Sequence, residues 1–339
     1  MMKQNHKVVV ITGASAGIGR ATALEFARQG ASVGLISRDR NRLEEVVHRI
    51  HEAGGTGLVM VGDVADAAAM NRAADRVEEE LGAIDVWINC AMVTIFSPFE
   101  EMSADEFRRV TEVTYLGTVH GTKAALKHMR RRNHGTIVQA GSALAYRSIP
   151  LQSAYCGAKF AIRGFTDAVR VELMHERSAV HVTMVQLAAF NTPQFQWARS
   201  RLDAPPQPVP PIFQPELAAR ALVFAATHRR REWWVGFPAA KAIIGTRLFP
   251  GFTDRKVCRM AWSGQMDTTA DRAVTVGGDN LFTTVPGDFG SHGRFDAHSR
   301  KVSWQWLYSR HRRLVWIVFI VVVAAAVVVT RLSMANGPG

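Results

Sequence analysis

The stretch Val8-Val9-Val10-Ile11-Thr12-Gly13-Ala14-Ser15-Ala16-Gly17-Ile18-Gly19 joins a run of β-branched residues to a helix-length segment. Its spacing, G-x-x-x-G-x-G, places Gly13, Gly17 and Gly19 in the turn between the two. Without side chains there, a pyrophosphate can approach the backbone. The free N–H groups and dipole at a helix start then favour it. Such glycines also serve tight turns alone. Their position directly after the first strand favours phosphate binding, with Ser15 and Ile18 in the same loop.

Outward from this turn, short apolar runs alternate with longer helical stretches. Strands are predicted over residues 7–12, 32–37, 57–61, 85–89, 136–140 and 180–187. Helices are predicted over 18–29, 40–53, 67–81, 104–132 and 155–176. This alternation favours an α/β fold, a doubly wound parallel sheet with helices on both faces. Ser103 lies three residues before Glu106, the spacing of a capping box. The proline-rich run 204–211 reads as a loop or lid. A helix over 215–227 and a strand over 233–236 can still join the sheet. From about Phe252 to Ser309 the periodicity weakens. The expected division is a catalytic domain over 1–250, an irregular extension over 251–309, a membrane anchor over 310–331 and a tail over 332–339.

The ends of the predicted strands narrow the cofactor. Ser37-Arg38-Asp39-Arg40 closes the second strand, where a dinucleotide fold meets the adenosine ribose. An acid there selects NAD, whereas a guanidinium pairs with a 2′-phosphate and selects NADP. Arg38 comes first, which favours NADP, with NAD as the alternative. Arg38, Arg40 and Arg42 also suit a solvated basic face. Asp63 and Val64 end the third strand. The Asp63 carboxylate can accept from an adenine amino group or cap the next helix.

Hydrophobic residues make up 47% of the 339 and charged ones 21%, which excludes global disorder. The net charge of +12 is uneven. Residues 1–200 hold 23 basic and 20 acidic side chains, and residues 201–339 hold 18 and 9. The excess builds toward the C-terminus, which argues against a nucleic-acid partner and fits attraction to an anionic leaflet. Arg229-Arg230-Arg231 before Trp233-Trp234 reads as a surface turn entering a buried strand. Three cysteines without Cys-x-x-Cys spacing give neither a disulfide framework nor a zinc site, and no metal is expected.

Residues 314–330, LVWIVFIVVVAAAVVVT, run 17 positions without a charge. At about 1.5 Å per residue they reach roughly 25 Å, the short end of a bilayer span. Arg310, Arg312 and Arg313 precede the run. Trp304, Trp306, Tyr308 and Trp316 stand where an aromatic belt would lie. The expectation is a single-pass membrane protein with its catalytic part facing the cytoplasm.

Ser142 follows the fifth strand, Tyr155 comes 13 residues later, and Lys159 four beyond that. Tyr155 and Lys159 share one helical face. An unperturbed phenol titrates near pH ~10. A nearby ammonium lowers that value, so the tyrosine can exchange a proton with an alcohol or carbonyl oxygen while a hydride moves to or from nicotinamide. Ser142 can hydrogen-bond the same substrate oxygen.

Taken together, the glycine turn, Asp63, Asn89, Ser142 and Tyr155-x-x-x-Lys159 resemble the short-chain dehydrogenase/reductase family over roughly residues 7–240. The resemblance implies a Rossmann-like domain with a seven-stranded sheet, NAD(P)-dependent chemistry on alcohols or carbonyls, and a homo-oligomer. It makes Tyr155 the acid/base, Lys159 its activator and a nicotinamide-ribose ligand, and Ser142 the substrate-orienting group. It places Asn89 and Ala91 beside the cofactor and Thr192 at the carboxamide. The family's Asn-Asn-Ala-Gly reads Asn89-Cys90-Ala91-Met92 here. Its relay asparagine aligns with Thr114, whose hydroxyl can still hold a water. The Pro-Gly pair expected after the sixth strand reads Ala188-Ala189.

The leading expectation is a membrane-anchored NAD(P)-dependent oxidoreductase, with NADP favoured over NAD, acting on an apolar alcohol or carbonyl. A membrane-anchored nucleotide-binding scaffold with little turnover is the alternative. A soluble enzyme whose apolar tail packs on a partner subunit is a third.

Overall fold

In the first strand Val9 and Ile11 point to one face and Val8 and Val10 to the other, and all four are buried. A strand buried on both faces needs helices on both, and the computed structural model, which describes residues 7–271 and 277–312, provides them. The strands are β1 (Val8–Thr12), β2 (Ser32–Ser37), β3 (Thr56–Val61), β4 (Ile84–Asn89), β5 (Thr136–Ala140), β6 (His181–Leu187) and β7 (Glu232–Val235). They form one sheet of seven strands, all parallel, in the order β7-β6-β5-β4-β1-β2-β3.

The connecting helices are α1 (Gly17–Ala27), α2 (Arg40–Glu52), α3 (Ala67–Glu80), α4 (Ala104–Val110), α5 (Gly117–Arg132), α6 (Ser153–His175) and α7 (Pro215–Thr227). One core joins Phe26 of α1, Leu43 of α2 and Leu222 of α7 to Val9, Val33 and Val185. The other joins Met70 of α3, Met129 of α5 and Leu173 of α6 to Val10, Trp87 and Val182. This is a Rossmann-like doubly wound fold. Its strand order reverses between β1 and β4, and there the crevice opens at the carboxyl ends of the strands.

Three features differ from the sequence reading. The single helix expected over 104–132 is interrupted by a π-helical turn, Thr111–Leu116, between α4 and α5. A helical hairpin, α8 (Phe237–Leu248) and α9 (Pro250–Met260), spans the expected boundary at residue 250, so the first part of the expected irregular extension is helical. Beyond it, residues 277–298 run along the carboxyl edge of the sheet as an irregular strap, and Ser299–Arg300 joins Ile212–Phe213 and Ala189–Phe190 in a small second sheet.

Residues 304–312 are helical. Trp306 is buried, with ring centroids 5.7 Å from Phe224 and 6.0 Å from Trp233, so it belongs to the core and not to an interfacial belt. Trp304 is 83% exposed. The predicted membrane-crossing stretch 314–330 lies outside the described residues. Among the described residues, no helix is long and apolar enough to cross a membrane.

Candidate active site

The turn after β1 is held by contacts that only glycine allows. Gly13 has φ +69°, and a Cβ there would stand 2.7 Å from Ala91 Cα. A Cβ on Gly19 would run into the Gly13 carbonyl oxygen. The missing side chains thus let α1 start against β1 and leave a backbone cradle at its amino end. Thr12 Oγ1 accepts from Cys90 N at 3.1 Å and from Ala91 N at 3.2 Å, which ties the turn after β4 to the glycine turn.

Above these turns lies a cavity of about 540 Å³. Gly13, Ser15, Gly17, Ile18 and Gly19 line its floor. Ser37, Arg38, Asp63 and Val64 line one end, and Ala91, Ser142, Tyr155, Lys159 and Thr192 the other. Cys90 and Met92 also line it. Burial pushes the Cys90 thiol up to about 11, so it stays protonated at neutral pH.

Two expected residues lie elsewhere. Asn89 is buried behind the turn. Its amide donates to Thr122 Oγ1 at 3.1 Å and to Gln139 Oε1 at 2.9 Å, and its carbonyl oxygen accepts from Trp87 Nε1 at 2.8 Å. With both ends of its amide engaged, Asn89 ties β4 to β5 and α5, away from the cavity wall. Thr114 is fully buried in the π turn. Its hydroxyl donates to Val93 O at 3.0 Å and accepts from Val93 N at 3.2 Å. The hydroxyl's one proton is thus given to backbone, and it could hold a water only as an acceptor.

Tyr155 and Ser142 are brought together as the spacing predicted. Ser142 caps the short helical turn Ala143–Ala145, its Oγ accepting from Leu144 N at 3.1 Å, and it lines the cavity together with the Tyr155 phenol. Lys159 Nζ donates to Ala140 O at 2.8 Å and lies 5.4 Å from the centre of the Tyr155 ring. The electrostatics reverse one expectation. Burial lifts the Tyr155 pKa above the ordinary phenol value, and the neighbouring Ser142 hydroxyl opposes this only in part. Burial also lowers Lys159 to about 8. Desolvation disfavours both charged forms, so the phenol is a neutral proton donor at pH 7 and not a preformed phenolate.

The strap meets this cavity along its length, a contact with no periodic signal in the sequence. The Arg38 guanidinium donates to Asn280 O at 2.5 Å, Phe282 O at 3.1 Å and Leu281 O at 3.4 Å. Arg42 Nε donates to Gly287 O at 2.6 Å, and Arg42 Nη2 reaches Val285 O. Asp288 pairs with Arg20 at 2.5 Å, and Gly17 N donates to Gly290 O at 3.0 Å. Asp39 is the N-cap of α2, accepting from Arg42 N at 3.1 Å. Asp63 pairs with Arg109 and accepts from Ala65 N at 2.9 Å, whereas Asp66 caps α3. The capping alternative for Asp63 is thus not the one adopted.

A parallel seven-stranded sheet, a glycine cradle at its switch point, and a serine, tyrosine and lysine around one cavity give a specific combination to compare. The sequence matches the family model of the short chain dehydrogenases over residues 7–203. The chain belongs to that family.

This short-chain dehydrogenase is 35% identical over 268 residues to the uncharacterised oxidoreductase YxnA of Bacillus subtilis (strain 168), covering 78% of this chain and 75% of that protein. It is 31% identical over 199 residues to a 3-dehydrosphinganine reductase of Danio rerio, covering 57% of this chain and 59% of that one. Among solved structures, an alcohol dehydrogenase of Thermococcus sibiricus complexed with 5-hydroxy-NADP superposes with a TM-score of 0.59 at 29% identity, covering 68% of this chain and 96% of the other. The chain is an oxidoreductase of the family, with a nicotinamide dinucleotide as cofactor and a small molecule as substrate.

Proposed function

We propose that this short-chain dehydrogenase uses NADP to interconvert a carbonyl and an alcohol on an apolar molecule, with Tyr155 as proton donor and acceptor, Ser142 holding the substrate oxygen and Lys159 placing positive charge beneath the phenol. The observation that carries it is that Ser142, Tyr155 and Lys159 line one cavity with the glycine turn, with Lys159 Nζ 5.4 Å from the centre of the Tyr155 ring. When bound, the dinucleotide supplies or takes the hydride. Gly13, Ser15, Gly17, Ile18 and Gly19 would hold its pyrophosphate, Asp63 and Val64 its adenine side, and Ala91 and Thr192 its nicotinamide side. The glycine cradle fits such a group, because any Cβ at Gly13 or Gly19 would fill it. A neutral, half-buried phenol suits donation to a carbonyl oxygen, which favours reduction at neutral pH. The names of relatives, 3-dehydrosphinganine reductase and 11-beta-hydroxysteroid dehydrogenase, fit a lipid-like substrate. A screen of aldehydes, ketones and alcohols on detergent-solubilised full-length protein, with NADP(H) and NAD(H), tests this reading. Dinucleotide binding without hydride transfer across the panel would favour the scaffold alternative.

Arg38 carries the cofactor preference. It stands at the carboxyl end of β2, and the strap carbonyls keep its guanidinium ordered in the cavity wall. Charged hydrogen bonds contribute roughly 1.5–3 kcal/mol, so Arg38→Ala is expected to raise the Kd for NADPH about tenfold or more. The Kd for NADH is expected to change far less, as read by titrating nicotinamide fluorescence. Equal losses for both dinucleotides would remove the 2′-phosphate role.

The reading also includes a single-pass anchor at residues 314–330 with the catalytic part facing the cytoplasm, and association into a homo-oligomer. Support for the anchor is the uncharged run with arginines before it. Full-length protein is expected in the membrane fraction, and a chain lacking residues 310–339 in the soluble fraction. Full-length protein that stays soluble without detergent would overturn the anchor.

A further inference from the structure

The cavity has a basic end that the chemistry at Tyr155 does not use. On α8, Pro238, Lys241 and Ala242 face the cavity at positions i, i+3 and i+4. On α9, Thr253, Lys256, Val257 and Met260 do the same. Each helix therefore turns the face bearing one lysine toward the opening. Lys241 is exposed and Lys256 half-buried, so the two ammonium groups stand at the rim. Lys241 stands close enough to Lys256 that its charge holds the Lys256 pKa below its ordinary value.

Among the described residues neither lysine has a carboxylate within ion-pair distance. The nearby acid, Asp254, is engaged by Arg147 Nη2, while Arg147 Nη1 donates to Thr253 Oγ1 at 3.2 Å. Arg147 also lines the cavity, and its buried Nε has no hydrogen-bond partner. Three cations thus meet one carboxylate at this end. Two adjacent ammonium groups repel, and a shared anion would relieve that repulsion. Between them and the phenol, the wall includes Val209, Val257, Met260 and Ala261.

We infer that Lys241 and Lys256 form an anion site at the cavity rim, which takes a carboxylate or phosphate carried by an amphiphilic substrate whose apolar body extends inward to Tyr155. This deepens, and rests on, the carbonyl–alcohol reading above. The same chemistry could come from the substrate itself or from the headgroup of a bilayer lipid; the inference commits to the substrate.

The test uses full-length protein in neutral detergent, NADPH, and an ω-oxo fatty acid beside its methyl ester. The acid is expected to show a KM about tenfold below that of the ester. In the double variant Lys241→Met/Lys256→Met, the ratio is expected to fall to about one. Equal KM values in the parent, or a ratio that survives the double substitution, would overturn the site. Binding of both probes, read by tryptophan quenching, separates this inference from the reading beneath it. Tighter binding of the acid that the double variant loses, without turnover of either probe, would support the anion site and overturn the carbonyl chemistry instead. Phosphatidylcholine vesicles with and without phosphatidylserine separate the two sources. If the double variant loses only its attraction to phosphatidylserine while the parent shows no acid preference, the lysines serve the bilayer and the inference fails.

Discussion

Tyr155→Phe is expected to lower kcat about a thousandfold and to leave the Kd for NADPH within a few-fold of the parent value. Phenylalanine keeps the ring and its packing, so the change removes only the hydroxyl that faces the cavity beside Ser142. General acid–base groups contribute roughly a hundredfold to ten-thousandfold, and in the proposed reaction the same hydroxyl both donates the proton and helps position the substrate oxygen. The pH profile follows from the electrostatics. Burial keeps Tyr155 protonated well above neutrality, so the donor persists across the working range. Lys159, lowered by burial to about 8, bears its ammonium below that pH and loses it above. The rate of carbonyl reduction is therefore expected to hold near pH 7 and fall above about 8, where the positive charge beside the phenol disappears. Steady-state kinetics from pH 6 to 10, on the order of the values involved, read both effects. Full turnover by the phenylalanine variant would remove Tyr155 from the chemistry.

The sheet was legible because its strands are short apolar runs between glycine-bearing turns. Thr136–Ala140 has the predicted bounds, and Val8–Thr12 and His181–Leu187 each start one residue later than predicted. The capping box at Ser103 and Glu106 was legible for a local reason, since both partners lie within one helical turn. Glu106 has a second role that spacing cannot reveal. It is buried and pairs with Arg199 and Arg201, each at 2.8 Å, and despite its burial these partners hold its carboxyl down to about 2. The π turn at Thr111–Leu116 has no proline or glycine within it to announce it. It forms where Thr114 bonds the backbone of Val93, a contact across 21 residues. The strap was illegible for the same reason at longer range. Its attachment is made by backbone carbonyls, which any sequence supplies, reaching Arg38 and Arg42 more than 240 residues away. Lys159 lies on the Tyr155 face as the spacing predicted, 5.4 Å from the ring centre. Helical spacing reports proximity and not burial, and here desolvation is the largest influence on both groups.

Gly19→Ala is expected to abolish most dinucleotide binding and to lower the melting temperature by several degrees. The added Cβ would lie 2.8 Å from the Gly13 carbonyl carbon and closer still to its oxygen. That carbonyl has little room to retreat. Gly13 N donates to Ile36 O at 2.8 Å, and Ala91 Cα closes the other side. Relief must then come from moving α1 away from β1, which disturbs the packing of Phe26 and Ala23 in the core and spreads the amino end of the helix where the pyrophosphate would sit. Saturation at about a hundred times Kd stabilises a protein by about 2.7 kcal/mol, so the parent should show a clear rise in melting temperature with NADPH. The variant should show almost none. Gly164→Ala is the control. Gly164 lies within α6, and a Cβ there meets nothing within 4 Å. Alanine is better than glycine in a helix by about 1 kcal/mol, so this variant should melt slightly higher and keep the full response to NADPH. A Gly19→Ala protein that kept the response would show that the phosphates bind away from the glycine turn, and the cavity would need a different ligand.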